Sequence, residues 1–343
     1  MPCYVGLDAS KATTSICVLN ESGEPVREGV VETQPKAIVA FLRGERRRYR
    51  RIGIESMSFT PWLYEGLAKA ALPIICVESR HASALLKGRL NKTDDNDARG
   101  LAEIMRAGIY KAVHVKTRSS QEAKLLLTAR RHMRIKMRAL DGMLRGFLLQ
   151  FGLKLDRGRP YSFAARVAAL LPENGALRDV VIGLLAVRQV MADEIMQLDR
   201  QIRTLAEADP VCQRFMTVPG VGPLAAFAFK AAIDVPERFT RSRDVGVHLG
   251  LTAPAFRSGT IEKHRRISRC GDEHVRTALF LAAQCLLRRR THPCSLKEWG
   301  ASVAARRGYR RATIAVARRI AVVLHRMWLD GTNFRRENVV REV

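Results

Sequence analysis

The chain has 343 residues, long enough for about two domains. Hydrophobic residues make up 47% of it, so a substantial core can be buried and wholesale disorder is excluded. Lys and Arg number 59 against 33 Asp and Glu, a net charge of +26 that favours a polyanionic partner. Nucleic acid is the first candidate for this partner, and an anionic membrane surface is the second.

The sequence pattern argues against a membrane as the partner. The stretch 215–229 is uncharged, but Pro and Gly interrupt it and it is shorter than the roughly 20 apolar residues of a spanning helix. The first residues show no basic leader followed by an apolar run, so we expect no secretory signal. The seven cysteines form an odd set without a C-x-x-C pair, which predicts reduced thiols in a cytoplasmic protein.

The first 110 residues or so alternate predicted strands and helices. The first three strands have the spacing of an antiparallel meander, and the later two are short buried runs. Strands are expected at 4–8, 14–19, 26–31, 52–54 and 74–77. Helices are expected at 37–47, from an N-cap at Thr60, and at 94–106. The fold class is therefore α/β plus α, with a mixed sheet that carries helices on its faces.

Two long helices are predicted next, from 119 to 151 and from 177 to 205. In the second, Met191, Ile195, Leu198, Ile202 and Leu205 follow the alternating four- and three-residue steps of a coiled-coil-like seam. Two interpretations stay open: a hairpin packed within one chain, or an arm that pairs with a second copy. The predicted domains are a catalytic domain at 1–115, this helical region at 116–208 and a mostly helical C-terminal domain at 209–335.

The basic charge is concentrated near the end of the chain. Residues 257 to 319 contain sixteen Lys and Arg against four acids, a density that favours phosphate contact over an ordinary solvated face. Upstream, Gly220 and Gly222 form a turn before an apolar helix, whose amino-terminal amides could hold a phosphate. The alternative for this turn is tight packing between helices.

Four carboxylates form the candidate catalytic set. Asp8 ends the first predicted strand and Glu55 the fourth, while Asp94 and Asp97 lie three residues apart on one helix face. Acids brought together repel one another unless a divalent metal neutralises them, and carboxylate oxygens suit Mg²⁺ or Mn²⁺. The pattern predicts metal-dependent phosphoryl transfer. The alternative for each acid is an ordinary turn or helix cap.

Three segments that contain these acids resemble the motifs of the DEDD transposases, which are encoded by bacterial insertion sequences and related to the Piv DNA invertases. The segments are Val5–Lys11, Ile54–Glu55 and Lys92–Ala98. In the second half, Val218–Pro223 resembles the family's helix-hairpin-helix-like turn. Further similarity to its C-terminal transposase domain lies at 249–252, 258–259, 267–272 and 315–320.

The resemblance implies a RuvC-like first domain of the ribonuclease H class, with Asp8, Glu55, Asp94 and Asp97 as metal-binding catalytic residues. It implies that Ser258 is a nucleophile that becomes linked to DNA. Some members of the family are guided by a structured bridge RNA from the element's ends. In those members the active site combines the acidic domain of one protomer with the serine domain of another.

The expected function is that of a site-specific DNA recombinase or transposase that acts through a transient phosphoserine link. The expected partners are double-stranded DNA of the element ends and target and a structured guide RNA. The chain is expected to form a homodimer or homotetramer. Its expected location is the bacterial cytoplasm, in association with the nucleoid. The residues expected to contact nucleic acid are Gly220, Gly222, Arg257, Lys263, Arg265, Arg266, Arg269, Arg318 and Arg319. Two alternatives stay open, a RuvC-like junction nuclease that uses only the four acids and a non-catalytic basic nucleic-acid-binding protein.

Overall fold

The computed structural model describes residues 2–44, 47–86, 93–156, 158, 162–254, 257–258, 261–262, 266–288 and 293–335, with the backbone alone at 257–258 and 261–262. The chain forms two compact units, Met1–Lys116 and Thr117–Val343. Within the described residues, no helix is both long enough and apolar enough to cross a membrane. All seven cysteines are free thiols, as the sequence predicts.

A five-stranded mixed sheet forms the first unit. Its strands are β1 (Pro2–Ala9), β2 (Thr13–Leu19), β3 (Pro25–Glu32), β4 (Arg48–Glu55) and β5 (Ile74–Val77). Their order in the sheet is β3-β2-β1-β4-β5. The pairs β1–β2 and β2–β3 are antiparallel, while β1–β4 and β4–β5 are parallel. The predicted mixed sheet is confirmed, and its first three strands form the expected meander.

The helices of this unit are α1 (Pro35–Arg43), α2 (Thr60–Lys69), α3 (Ser79–Leu86) and α4 (Asp94–Ala107). Helix α1 ends at Arg43 and not at residue 47 as predicted, because Gly44 follows it and β4 already begins at Arg48. Thr60 is wrong as an N-cap, since Phe59 holds that position. The Thr60 hydroxyl instead donates to the carbonyl of Glu55 at 2.6 Å, which ties the end of β4 to the start of α2.

Apolar side chains cover both faces of the sheet. Helices α1 and α2 pack on one face, where Ile38 and Leu63 join the buried residues of β1 and β4 in one cluster. Helix α4 packs on the other face, where Leu101 and Met105 are buried beside Tyr4. Burial on both faces explains why the central strands are continuously apolar.

The second unit is helical apart from a short hairpin. Its helices are α5 (Arg118–Gln150), α6 (Phe163–Ala168), α7 (Ala176–Ala208), α8 (Pro210–Met216), α9 (Pro223–Ile233), α10 (Arg243–His248), α11 (Glu273–Arg288), α12 (Ser295–Arg307) and α13 (Tyr309–Asp330). The hairpin consists of β6 (Arg257–Ser258) and β7 (Ile261–Glu262). Helix α9 is almost wholly buried and contacts α5, α7, α8 and α11. The α/β plus α class is confirmed.

Helices α5 and α7 form a hairpin within the one chain. Ile195 and Ile202 of the predicted seam are buried there. Two interhelical ion pairs also join these helices, Arg188 with Asp141 at 2.6 Å and Arg130 with Asp199. Packing within the chain therefore accounts for the burial of Ile195 and Ile202, while Met191 and Leu198 are half-buried and Leu205 is exposed. Pairing of this hairpin with a second copy stays a prediction.

Candidate functional site

Asp8 and Glu55 lie side by side at the carboxyl edge of the sheet. Strands β1 and β4 are parallel neighbours, and their pairing aligns Leu7 with Ile54, the residues directly before the two acids. Both acidic residues are half-buried. The central parallel pair of the sheet therefore places two carboxylates together, as the sequence predicts.

Two glycines show which face of the sheet these acids occupy. Gly6 and Gly53 are partners across β1 and β4. A Cβ on Gly6 would overlap the carbonyl oxygen of Ala98, and one on Gly53 would lie 2.8 Å from a side-chain carbon of α4. Because side chains alternate along a strand, Asp8 and Glu55, two residues further on, face the α4 side as well. Neither glycine stands out in the sequence, although each lies two residues before an acid.

The direction of α4 brings the other two acids to the same edge. Arg51, early in β4, donates to the carbonyl of Met105 in the last turn of the helix at 2.8 Å. Ala98, near the start of the helix, packs instead on the later part of β1. Helix α4 therefore runs antiparallel to β1, and its first turn, which contains Asp94 and Asp97, lies at the carboxyl edge.

Helical geometry separates these two acids from Asp95. Asp94 and Asp97 precede Leu101 by seven and four residues, so they share its side of the helix, and Leu101 packs over β4. Asp95 precedes Ala102 by seven residues, and Ala102 packs toward β2. The alternative that Asp94 or Asp95 caps the helix is not what the structure shows, since the side chain of Thr93 accepts from the helix amide as N-cap.

The donor chemistry of the four acids fits a divalent cation, because Mg²⁺ and Mn²⁺ prefer carboxylate oxygen. Their side chains do not form a closed ligand set here. Among the described residues, no three or more His, Cys, Asp or Glu side chains are placed closely enough to hold a metal ion. The backbone positions of the four acids share one edge and one face of the sheet, and their action as one metal site stays a prediction.

Ser258 lies on the small hairpin of the second unit, where its backbone pairs with Ile261. The chain on either side of the hairpin is joined by backbone hydrogen bonds. The amide of Ser268 donates to the carbonyl of Thr252 at 2.8 Å, and that of Arg269 to the carbonyl of Gly250 at 3.2 Å. Residues 250–252 and 268–269 are therefore paired on the two sides of the hairpin, and we call this paired segment the base of the serine hairpin.

Two glycines and an arginine hold this base together. Gly250 and Gly271 both have positive φ, +66° and +74°. A Cβ on either would overlap a backbone carbonyl of the facing segment, that of Cys270 or that of His248. The guanidinium of Arg276 donates to the carbonyls of Cys270 and Gly271 at 2.6 and 3.0 Å. Arg276 is not distinguishable from its basic neighbours in sequence, since its carbonyl partners are set by the fold.

The predicted phosphate-binding turn has one packed and one open glycine. Gly220 has φ +91°, and a Cβ there would lie 2.5 Å from the carbonyl oxygen of Ala282 in α11. Gly222 is exposed with open space around it, and it is the N-cap of α9. Tight helix packing thus explains Gly220, and contact with nucleic acid stays a prediction for both glycines.

The predicted phosphate-binding arginines differ in exposure. Arg266, Arg269 and Arg318 are exposed. Arg319 lies over the ring of Trp299 at 4.5 Å, and burial lowers its pKa. Lys263 and Arg265 lie outside the described residues, as does the side chain of Arg257.

Comparisons with known proteins agree with this arrangement. A family model described as "Transposase", for DEDD enzymes of the IS110 type, matches residues 5–152. A second, described as "Transposase IS116/IS110/IS902 family", matches residues 212–299. The first of these regions contains the four acids, and the second contains the serine hairpin.

Two curated relatives are transposases of insertion sequences. The chain is 27% identical over 330 residues to "Transposase for insertion sequence element IS1111A" of Coxiella burnetii, which covers 93% of this chain and 88% of the relative. It is 26% identical over 250 residues to "Transposase for insertion sequence element IS1328" of Yersinia enterocolitica, covering 71% and 74% of the two chains.

These matches show that the chain is a transposase. It is similar to the DEDD transposases of the IS110/IS116 family over residues 5–152 and 212–299.

Proposed function

We propose that this transposase is a site-specific recombinase that excises and inserts a mobile element, with four catalytic acids and a serine nucleophile. The supporting observation is the placement of Asp8, Glu55, Asp94 and Asp97 on one face at one edge of the sheet. Strand ends and a helix terminus packed on them provide rigid supports, which catalytic geometry requires.

The acids would hold Mg²⁺ or Mn²⁺, which when bound polarises the scissile phosphate and stabilises charge on its oxygens. Asp8 and Glu55 provide oxygens from adjacent strands, and Asp94 and Asp97 provide them from the α4 side. The contact between Gly6 and the backbone of α4 sets the distance between these two pairs. Without a side chain at that position, the helix lies directly on the sheet.

The Ser258 hydroxyl is the proposed nucleophile. Its oxygen forms a bond to the phosphorus, the bond from phosphorus to one DNA oxygen breaks, and the serine proton passes to that leaving oxygen through water. Attack by the hydroxyl of a new DNA end then reverses the exchange and releases the serine. Because the number of phosphate ester bonds stays constant, rejoining needs no outside energy source.

We further propose that a structured RNA guides target choice and that the chain acts as a dimer or tetramer. Aromatic residues are only 6% of the sequence, so few side chains can stack on bases, and we assign sequence choice to pairing between nucleic acids.

The helical hairpin of α5 and α7 exposes apolar side chains that a second copy can cover, among them Leu149 on α5 and Val190 on α7, which are 61% and 63% exposed. Light scattering measures the molar mass of the Leu149→Glu/Val190→Glu variant, and we expect the variant to be a monomer. Variants that keep the wild-type mass would refute this interface.

Excision from native flanking DNA tests the chemistry. The gene is expressed with its flanks, and PCR detects the circular junction in wild type, Asp97→Ala and Ser258→Ala. We expect a circle from wild type and none from either variant. Asp95→Ala is the matched control, because that acid lies on the β2 side of the same helical turn and should leave excision intact.

Each other outcome has a distinct meaning. A circle that persists in Ser258→Ala would remove the serine step and favour direct attack of a DNA hydroxyl on the phosphate, with the acids alone as the catalytic set. A circle that persists in Asp97→Ala would refute the four-acid set. Equal loss in Asp95→Ala and Asp97→Ala would indicate damage to α4 rather than loss of a metal ligand.

A further inference from the structure

One side of α5 carries a line of basic residues, which we call the basic stripe. Its members recur at steps of three, four and seven residues, which keeps them on one side of a helix. They are Lys124, Arg131, Arg134, Arg138 and Arg145. Four are exposed and Arg131 is half-buried. At 1.5 Å per residue the basic stripe is about 31 Å long.

The ion pairs that join α5 to α7 do not use the basic stripe. They use Arg130 with Asp199 and Asp141 with Arg188. Within the stripe, Arg138 donates to the carbonyl of Arg134 at 3.3 Å, a contact that leaves most of its guanidinium donors to solvent. Like charges at three- and four-residue steps repel. Although the side chain of Arg134 is exposed overall, its partial burial together with Arg130 and Arg138 lowers its pKa, against the opposite effect of Asp199.

The basic stripe begins at the base of the serine hairpin. Arg131 pairs with Glu273 at 2.6 Å, and Lys124 lies 4.0 Å from Asp272. These two acids directly follow Gly271, which Arg276 holds in the base. The acids neutralise the first two cations of the stripe. The next three, Arg134, Arg138 and Arg145, continue along α5 away from the hairpin. They form no ion pair with the residues that the structure describes, although Asp199 lies near Arg134 and Arg145 lies over the ring of Phe163 at 4.8 Å.

We propose that the basic stripe binds the phosphodiester backbone of a nucleic-acid duplex that extends from the serine hairpin. This inference rests on the proposed recombinase function. Exposed guanidinium groups bind phosphate with paired hydrogen bonds and without regard to sequence. The length of about 31 Å is close to one turn of B-form DNA, about 34 Å, so the stripe can lie along a duplex and reach phosphates over about one turn.

Binding measured across a series of NaCl concentrations tests the proposal on the full chain. The variant is Arg134→Gln/Arg138→Gln. Its matched control, Arg200→Gln/Arg203→Gln, removes the same charge from exposed positions on α7 of the same hairpin. The probes are a random-sequence DNA duplex and an RNA hairpin of equal length. Circular dichroism melting confirms that each variant is folded.

We expect the stripe variant to lose affinity by roughly one to two orders of magnitude at low salt. The slope of the logarithm of its binding constant against the logarithm of the NaCl concentration should become shallower by about 1.8, since each lost phosphate contact on B-form DNA contributes about 0.9. The control should change little. A loss confined to the DNA probe assigns the stripe to the DNA substrate, and a loss confined to the RNA probe assigns it to the guide.

Unchanged binding by the stripe variant would overturn the inference and leave the recombinase proposal standing. Equal losses in stripe and control variants would also overturn it, because bulk charge would then explain the effect. A wild-type protein that binds neither probe would refute the recombinase proposal together with the stripe.

Discussion

Gly6→Ala should damage the candidate site through the fold without touching a carboxylate. The added Cβ would overlap the carbonyl oxygen of Ala98 and lie 2.5 Å from the amide nitrogen of Ala102. Both obstacles are helix backbone, so no rotamer change can relieve them, and α4 must move off the sheet. Its first turn, with Asp94 and Asp97, moves with it.

The expected cost follows from the type of contact. Overpacking a well-packed core costs about 1–3 kcal/mol, and a clash with backbone belongs at the upper end of that range. At Gly53 the nearest obstacle is the flexible side chain of Met105 at 2.8 Å, so Gly53→Ala should cost less, about 1 kcal/mol. Gly142→Ala is the opposite control. It lies in exposed helix with nothing within 4 Å, and alanine there should stabilise by roughly 0.5–1 kcal/mol.

Urea unfolding followed by circular dichroism measures these changes, and the excision assay measures their effect on the site. We expect the midpoint of Gly6→Ala to fall the most and its excision to be lost. A Gly6→Ala protein with wild-type stability and wild-type excision would refute the direct packing of α4 on β1, and with it the geometric basis for placing Asp94 and Asp97 beside Asp8.

Three further predictions concern the second unit. Leu144→Ala, at a fully buried position between α5 and α7, should lower the free energy of unfolding by about 2–5 kcal/mol in urea titration; a change below about 1 kcal/mol would contradict hairpin packing. Arg276→Ala should abolish excision and Arg276→Lys restore part of it, because the base of the serine hairpin loses its donor; full activity of the alanine variant would exclude a positioning role. Burial acts to raise the pKa of Asp209, but hydrogen bonds from Lys230 and two helix amides outweigh it and lower the pKa. Its stabilising contribution is therefore present at neutral pH and is lost as pH falls through the folded pKa, so Asp209→Asn should show a weaker loss of melting temperature on acidification than wild type.

The sequence pattern was sufficient to predict the sheet and to mark the four acids as candidates at its edge. Apolar runs mark β1, β2, β5 and the end of β4, because strand segments buried on both faces must be apolar at nearly every position. Strand β3 has no buried residue, and the spacing of the meander predicts it instead. An acid at the end of two such runs is visible without coordinates, as is the three-residue step between Asp94 and Asp97. The long helices were predicted to within a few residues, since their apolar periodicity extends over many turns.

Local signals were misleading where a tertiary contact competes with them. Thr60 has the residue type of an N-cap, yet its hydroxyl bonds to the carbonyl of Glu55. The eight residues of α3 have too short a pattern to be predicted. The seam on α7 is equally compatible with a partner in the same chain or in a second one, and only the structure shows that Ile195 and Ile202 are buried within this chain.

The sequence by itself thus determined which residues are candidates for the chemistry, because charge and periodicity are properties of residue type and spacing. The tertiary structure decided which of them share one edge and one face of the sheet. The pairing of Gly6 with Gly53 lets α4 lie on the sheet, and the antiparallel course of α4 brings its first turn to the strand ends. In the second unit, Arg276 finds its carbonyl partners only after distant segments have packed together. Contacts between residues far apart in the chain depend on the whole fold, and no local pattern encodes them.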